Sequence, residues 1–78
     1  MLRQDDVLTA LGLAIEDTTF NLESTTENTD NWDSLGVLSI FATLSKLTSG
    51  KSDKFLEITN AASASELMRI LRINGLLE

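Results

Sequence analysis

The sequence predicts a small all-α protein. Three stretches place apolar residues at helical spacing, no stretch shows the alternation typical of a strand, and proline is absent. A chain of 78 residues has room for one domain, which we expect to span positions 1–78. We therefore expect a small four-helix bundle, with three long helices and one short helix, and a long ordered loop between the first two.

The first helix is expected over about residues 3–16. Val7, Leu11 and Ile15 recur every four residues and form an apolar stripe. Asp6 lies near the start of this stretch, where a carboxylate interacts favourably with the helix dipole.

Residues 17–33 form the predicted loop. The segment DTTFNLESTTENTDNWD is rich in Thr, Asn, Asp and Ser, whose side chains compete for backbone hydrogen bonds and favour turns. It also contains Phe20, Leu22 and Trp32, which a flexible linker does not need. We expect the aromatic residues to pack against the helices and to hold the loop in one conformation.

The second helix is expected over residues 34–48, with Asp33 as its N-cap. Apolar residues cover most of its circumference, which is typical of a central helix that is touched on several sides. The remaining narrow stripe, called the predicted polar stripe below, consists of Gly36, Ser39, Thr43 and Lys46. We expect this stripe to be exposed and Leu38 to be buried.

The last third of the chain predicts two more helices. Residues 52–58 can form a short helix or turn. The apolar residues that we expect to face inward there are Phe55, Leu56 and Ile58. Ser63 and Glu66 match an S-x-x-E capping box at the start of the final helix, and Gly75 is a good signal for its end. Leu71 lies on the apolar face of this helix and should be buried.

The composition disfavours an enzyme. The chain has no cysteine and no histidine, so it lacks a thiolate nucleophile, the commonest general base and the commonest metal ligands. A hydrolase that uses two carboxylates needs acids that converge in a cleft, and no spacing in the sequence suggests such a pair. We predict no catalytic residues and no metal site.

The charge is unevenly distributed. The formal net charge is −6, and no Lys or Arg occurs between Arg3 and Lys46, an interval that holds eight acidic residues. Such a field repels phosphate backbones, so we expect no nucleic-acid binding. It attracts basic patches on partner proteins instead.

We expect neither a membrane-spanning helix nor a signal peptide in this chain. No apolar run approaches the ~20 residues that a membrane-spanning helix needs. Acids at positions 5 and 6 interrupt the region where a signal peptide would be continuously apolar. We expect a cytoplasmic monomer without a membrane span.

The tripeptide Asp33-Ser34-Leu35 opens the predicted central helix directly after the long loop, within the segment WDSLG. Before and after it, the order of elements is helix, loop, central helix, short helix and final helix. In this order and with this tripeptide, essentially the whole chain resembles the acyl carrier protein family. That family includes stand-alone carriers and the carrier domains of polyketide and peptide synthases.

The resemblance implies a covalent cofactor on Ser34. In the family, a phosphopantetheinyl transferase esterifies this serine with a 4′-phosphopantetheine arm taken from coenzyme A. The arm carries fatty acyl, polyketide or aminoacyl groups as thioesters between loading and transfer enzymes. The resemblance also implies that Asp33 contacts the transferase and its metal. We expect Leu35 to anchor the helix start in the core, and the phosphodiester to lie near free backbone N–H groups.

The predicted polar stripe departs from the family pattern. Typical bacterial members carry several acids along the helix after the serine, and these acids bind basic patches of partner enzymes. The predicted polar stripe contains no acid, and the negative charge lies before the serine, at Glu23, Glu27, Asp30 and Asp33. We expect this stripe to bind a dedicated set of partner enzymes, rather than those of housekeeping fatty-acid synthesis.

Two simpler interpretations stay open. Ser34 can be an ordinary first-turn residue, and Asp33 only an N-cap worth ~1 kcal/mol. In that case the protein is a small acidic helical interaction module with no prosthetic group.

Overall fold

The computed structural model describes residues 2–78 and contains three α-helices: α1 (Gln4–Ala14), α2 (Ser34–Leu47) and α3 (Ala64–Ile73). Where a short fourth helix was expected, the chain forms two 3-10 helices, Lys51–Lys54 and Leu56–Asn60. Between residues 2 and 78 there is no strand, only two isolated bridges. The all-α prediction is confirmed, but the structure has three α-helices, and a four-helix bundle is not confirmed.

Two helix starts carry the caps that the sequence predicts. The Asp33 carboxylate accepts a hydrogen bond from the Gly36 N–H at 3.0 Å. The Ser63 hydroxyl accepts one from the Glu66 N–H at 3.1 Å. The Glu66 carboxylate reaches back to the Ala62 N–H, also at 3.1 Å, one residue before the cap. These bonds satisfy N–H groups that have no partner inside the helix.

All three α-helices end in a Schellman motif. At the end of α3, the Leu76 N–H donates to the Leu71 carbonyl at 2.9 Å, and Gly75 has a positive φ of 74°. The ends of α1 and α2 make the same pattern of backbone hydrogen bonds. The residues with positive φ are Glu16 (57°) after α1, and Ser49 (55°) and Gly50 (84°) after α2. At Glu16 and Ser49 glycine would be the usual choice.

The core lies between the three helices, the second 3-10 helix and the loop. Its large buried residues are Val7, Leu11, Ile15, Trp32, Ile40, Leu44, Ile58, Leu67, Met68, Ile70, Leu71 and Leu77. The burial predicted for Leu71 is confirmed. The burial predicted for Leu38 is wrong, since 64% of this residue is exposed.

The long loop between α1 and α2 is tied to the start of α3. The Thr26 N–H donates to the Ala62 carbonyl, and the Ala64 N–H donates to the Ser24 carbonyl, both at 2.9 Å. Trp32 is only 4% exposed, and its ring centre lies 5.6 Å from that of Phe20. The aromatic residues therefore pack as predicted.

Two buried polar residues, Thr48 and Ser52, hold the segment after α2 in place through hydrogen bonds. The Thr48 hydroxyl donates to the Leu44 carbonyl at 2.8 Å and accepts from the Ser52 N–H at 3.0 Å. Phe55, with φ −97° and ψ 76°, then separates the two 3-10 helices. Ile58 faces inward as predicted and Phe55 packs against the core, whereas Leu56 is 65% exposed, contrary to prediction.

None of the helices in the described chain is long and apolar enough to cross a membrane.

Candidate functional site

Ser34 is the first residue of α2, and it is exposed. The first backbone hydrogen bond of the helix runs from the Val37 N–H to the Asp33 carbonyl at 2.8 Å. The Ser34 and Leu35 N–H groups precede this bond, and the Gly36 N–H is taken by the Asp33 carboxylate. An exposed primary hydroxyl therefore lies beside two backbone donors that the helix itself does not use.

The backbone on either side of Ser34 is held by close packing. Gly36 is buried, and a Cβ atom on it would collide with the Asn31 carbonyl oxygen. The Asn31 side-chain amide donates to the Ile15 carbonyl at 2.9 Å. Trp32, between these contacts and the N-cap, is buried in the core. These contacts fix the start of α2 against the end of α1.

The predicted polar stripe is not the exposed face of α2. Gly36 is buried, Ser39 and Thr43 are half-buried, and only Lys46 is exposed. The residues of α2 that are exposed after Ser34, called the exposed α2 stripe below, are Leu35, Leu38, Ala42 and Lys46. The helix is thus rotated by about one residue, or roughly 100°, from the orientation expected.

Leu35 does not anchor the helix start in the core, as the sequence led us to expect, because 74% of it is exposed. The anchor at this end is Trp32, which precedes the cap. Sequence patterning missed the three apolar members of the exposed α2 stripe. The available signal was Gly36, because a glycine three residues after a cap can mark a close backbone approach.

The charges near the two ends of α2 have opposite sign. Four acids in the loop before Ser34 are exposed: Glu23, Glu27, Asp30 and Asp33. At the other end lie three exposed bases, Lys46, Lys51 and Lys54, and one exposed acid, Asp53. Between residues 2 and 78 the ion pair observed is Glu66 with Arg69 at 4.0 Å, so none of these loop acids is paired with a base there. A partner that lies along α2 therefore meets negative charge near Ser34 and positive charge about 18 Å away, twelve residues on.

Asp33, Ser34 and Leu35 lie at the start of α2, where the sequence predicts a helix start. In the part of the chain that the structure describes, no three acidic side chains lie close enough to hold a metal ion. The functional groups at the start of α2 are the Ser34 hydroxyl, the Asp33 carboxylate and the neighbouring backbone donors.

No family model, curated protein or solved structure matches this chain. The resemblance to carrier proteins thus rests on the order of elements and on the tripeptide at the start of α2.

Proposed function

We propose that this protein is a carrier whose Ser34 hydroxyl receives a 4′-phosphopantetheine arm from coenzyme A. The serine oxygen would bond to the phosphorus of the arm, the adenosine bisphosphate part of coenzyme A would leave, and the hydroxyl proton would pass to solvent. A separate phosphopantetheinyl transferase would supply the catalysis. The two 3-10 helices would stand in the place of the short helix of the carrier family.

The observation that carries this proposal is the contrast among the five residues of WDSLG. Trp32 is buried, Asp33 caps α2, and Gly36 allows the loop backbone to pass close to the helix. Ser34 and Leu35 are exposed. Three residues of the segment are thus explained by the fold, and the serine between them is presented to solvent from a fixed backbone. This is the arrangement that a modifying enzyme needs.

The residues around Ser34 suit a phosphodiester. The Ser34 and Leu35 N–H groups point from the N-terminal end of α2, where the helix dipole favours negative charge. The Asp33 carboxylate is engaged with the Gly36 N–H at 3.0 Å, and the Ser34 and Leu35 N–H groups remain for the phosphodiester. Beyond the phosphodiester the arm would extend into solvent and raise the effective concentration of its cargo at a partner's active site.

The exposed α2 stripe is the surface that partner enzymes would contact. It begins next to Ser34, so an enzyme that covers Leu35 and Leu38 has the base of the arm at the edge of its contact. Apolar contact would supply most of the affinity, because this stripe has no acid and one base, Lys46. We propose that it replaces the predicted polar stripe as the partner-binding surface and binds a dedicated set of loading and transfer enzymes.

A second candidate is an interaction module without a prosthetic group. The observation that favours it is the number of large apolar residues left exposed: Leu13, Leu22, Leu35, Leu38, Leu56 and Ile73. Clusters of such residues mark protein interaction sites whether or not a serine nearby is modified.

One experiment separates the two candidates. The protein is produced together with a broad-specificity phosphopantetheinyl transferase, and its intact mass is measured. A gain of one phosphopantetheinyl group that Ser34→Ala abolishes supports the carrier. A wild-type protein of unchanged mass, made in cells where a known carrier is fully modified, supports the interaction module.

A further inference from the structure

An apolar groove runs along α1 and the start of the loop that follows it. Its volume is about 470 Å³. The residues that line it, called the α1 groove below, are Leu8, Thr9, Gly12, Leu13, Glu16, Asp17, Thr18 and Phe20. Leu13 forms one wall and is 76% exposed, the highest value among the exposed large apolar residues.

The floor of the α1 groove is built by close packing of the loop on the helix. A Cβ atom on Gly12 would lie 2.8 Å from the Asp17 carbonyl oxygen and 3.1 Å from the Phe20 Cβ. The missing side chain therefore lets the loop lie against α1. The ring of Phe20 lies 5.6 Å from that of the buried Trp32, which holds the floor in place. The groove is thus part of the fixed structure.

The charge around the α1 groove specifies its occupant. Glu16 and Asp17 lie at the rim, and the sequence has no Lys or Arg between Arg3 and Lys46. We propose that the α1 groove binds a short segment of a partner protein that carries one or two apolar side chains flanked by lysine or arginine. The apolar side chains would lie on Leu8, Leu13 and Phe20, and the basic groups would face the rim acids.

Other kinds of ligand fit less well. A small-molecule site encloses most of its ligand, whereas a wall residue as exposed as Leu13 leaves the groove open to water. The rim acids Glu16 and Asp17 repel anionic lipid headgroups and nucleic acid. The proposal goes beyond the carrier function, because none of these residues belongs to the Ser34 site. The contact of Asn31 with Ile15 nevertheless places this end of α1 beside the start of α2.

The test is a titration of the unmodified, isotope-labelled protein with a short synthetic peptide in which two leucines are flanked by lysines. Backbone amide shifts should change mainly at residues 8–20. Leu13→Gln should raise Kd by about tenfold, the order expected for loss of a buried leucine contact. The matched control is Ile73→Gln on α3, which is 66% exposed in the wild type and should change Kd less than about twofold.

Charge and site are tested in the same titration. Glu16→Gln and Asp17→Asn should each weaken binding, added salt should weaken it further, and a peptide with glutamates in place of lysines should not bind. Ser34→Ala should bind like wild type, which separates this proposal from the carrier function. Amide shifts spread over residues 21–33, with no dependence on Leu13, would overturn it. So would self-association in sedimentation that Leu13→Gln removes, because the occupant would then be a second copy of the chain.

Discussion

The carbonyl oxygen of Asn31 occupies the space that a side chain on Gly36 would need. The side-chain amide of the same Asn31 donates to the Ile15 carbonyl at 2.9 Å. One loop residue therefore joins the end of α1 to the start of α2, and it does so two residues before the N-cap. This contact sets which face of α2 is exposed, and it holds Ser34 at the surface.

Gly36→Ala should destabilise the protein by about 1–3 kcal/mol, because the new Cβ atom would force the loop or the helix to move. Helix propensity alone predicts the opposite sign, a gain of about 1 kcal/mol. Denaturant unfolding measures the difference, with Ser45→Ala on the same helix as the control, expected to change stability by less than about 0.5 kcal/mol. A Gly36→Ala protein as stable as wild type would show that the Asn31 contact does not constrain α2.

The helix starts were predictable because their signals are local. Asp33 and Ser63 each accept a hydrogen bond from an N–H three residues on, so the cap and its partner lie within one turn of sequence. The end of α3 at Gly75 is equally local.

The exposed face of α2 was not predictable, because its cause is a long-range contact. A helix that is apolar nearly all round has no strong sequence preference for one orientation. The small polar residues Ser39 and Thr43 suggested the wrong face, whereas the contact between Asn31 and Gly36 turns Leu35 and Leu38 outward. The backbone hydrogen bonds between the loop and the start of α3 likewise cannot be predicted from local sequence patterns.

The same substitution at two leucines tests the corrected orientation. Leu71 is fully buried, so Leu71→Ala should cost ~2–5 kcal/mol, enough to unfold much of a marginally stable domain. Leu38 is 64% exposed, so Leu38→Ala should cost less than about 0.5 kcal/mol. Thermal melts of both variants measure the contrast. Equal losses at the two positions would mean that α2 is rotated toward the face the sequence suggested.

Glycine substitutions at the ends of α1 and α2 should increase the stability of the protein. Glu16 and Ser49 hold positive φ angles of 57° and 55°, which glycine adopts with much less strain. Glu16→Gly and Ser49→Gly should each stabilise the protein by about 0.5–1 kcal/mol, and Gly75→Ala should destabilise it by a similar amount. Chemical denaturation of the three variants tests the signs. A loss of stability in both glycine variants would contradict the proposed helix ends.

Partner choice should depend on the exposed α2 stripe. The triple variant Leu38→Glu, Ala42→Glu and Lys46→Glu lowers its formal charge by four, since the lysine change counts twice. Once modified, this variant should be loaded faster than wild type by fatty-acid-pathway enzymes that bind acids after the serine. Added salt should remove the gain, because it screens the attraction between the new acids and the partner enzyme, which acts within about 10 Å at 0.1 M ionic strength.

The matched control for that experiment places glutamine at the same three positions and should give no gain. The loading rate is measured for wild type and both variants at low and high salt. If wild type is already loaded as fast as the glutamate variant, this stripe does not select partners. The exposed loop acids Glu27, Asp30 and Asp33 would then be the next surface to vary.

The carrier function is tested most directly by incubating the purified protein with coenzyme A and a phosphopantetheinyl transferase and measuring its intact mass. The wild type should gain one phosphopantetheinyl group, and fragmentation should locate that group on Ser34. Ser34→Ala should gain nothing, while Ser39→Ala, the matched change on a half-buried serine of the same helix, should be modified like wild type. A wild-type chain that stays unmodified with several transferases, while an established carrier in the same reactions is converted completely, would contradict the proposed function.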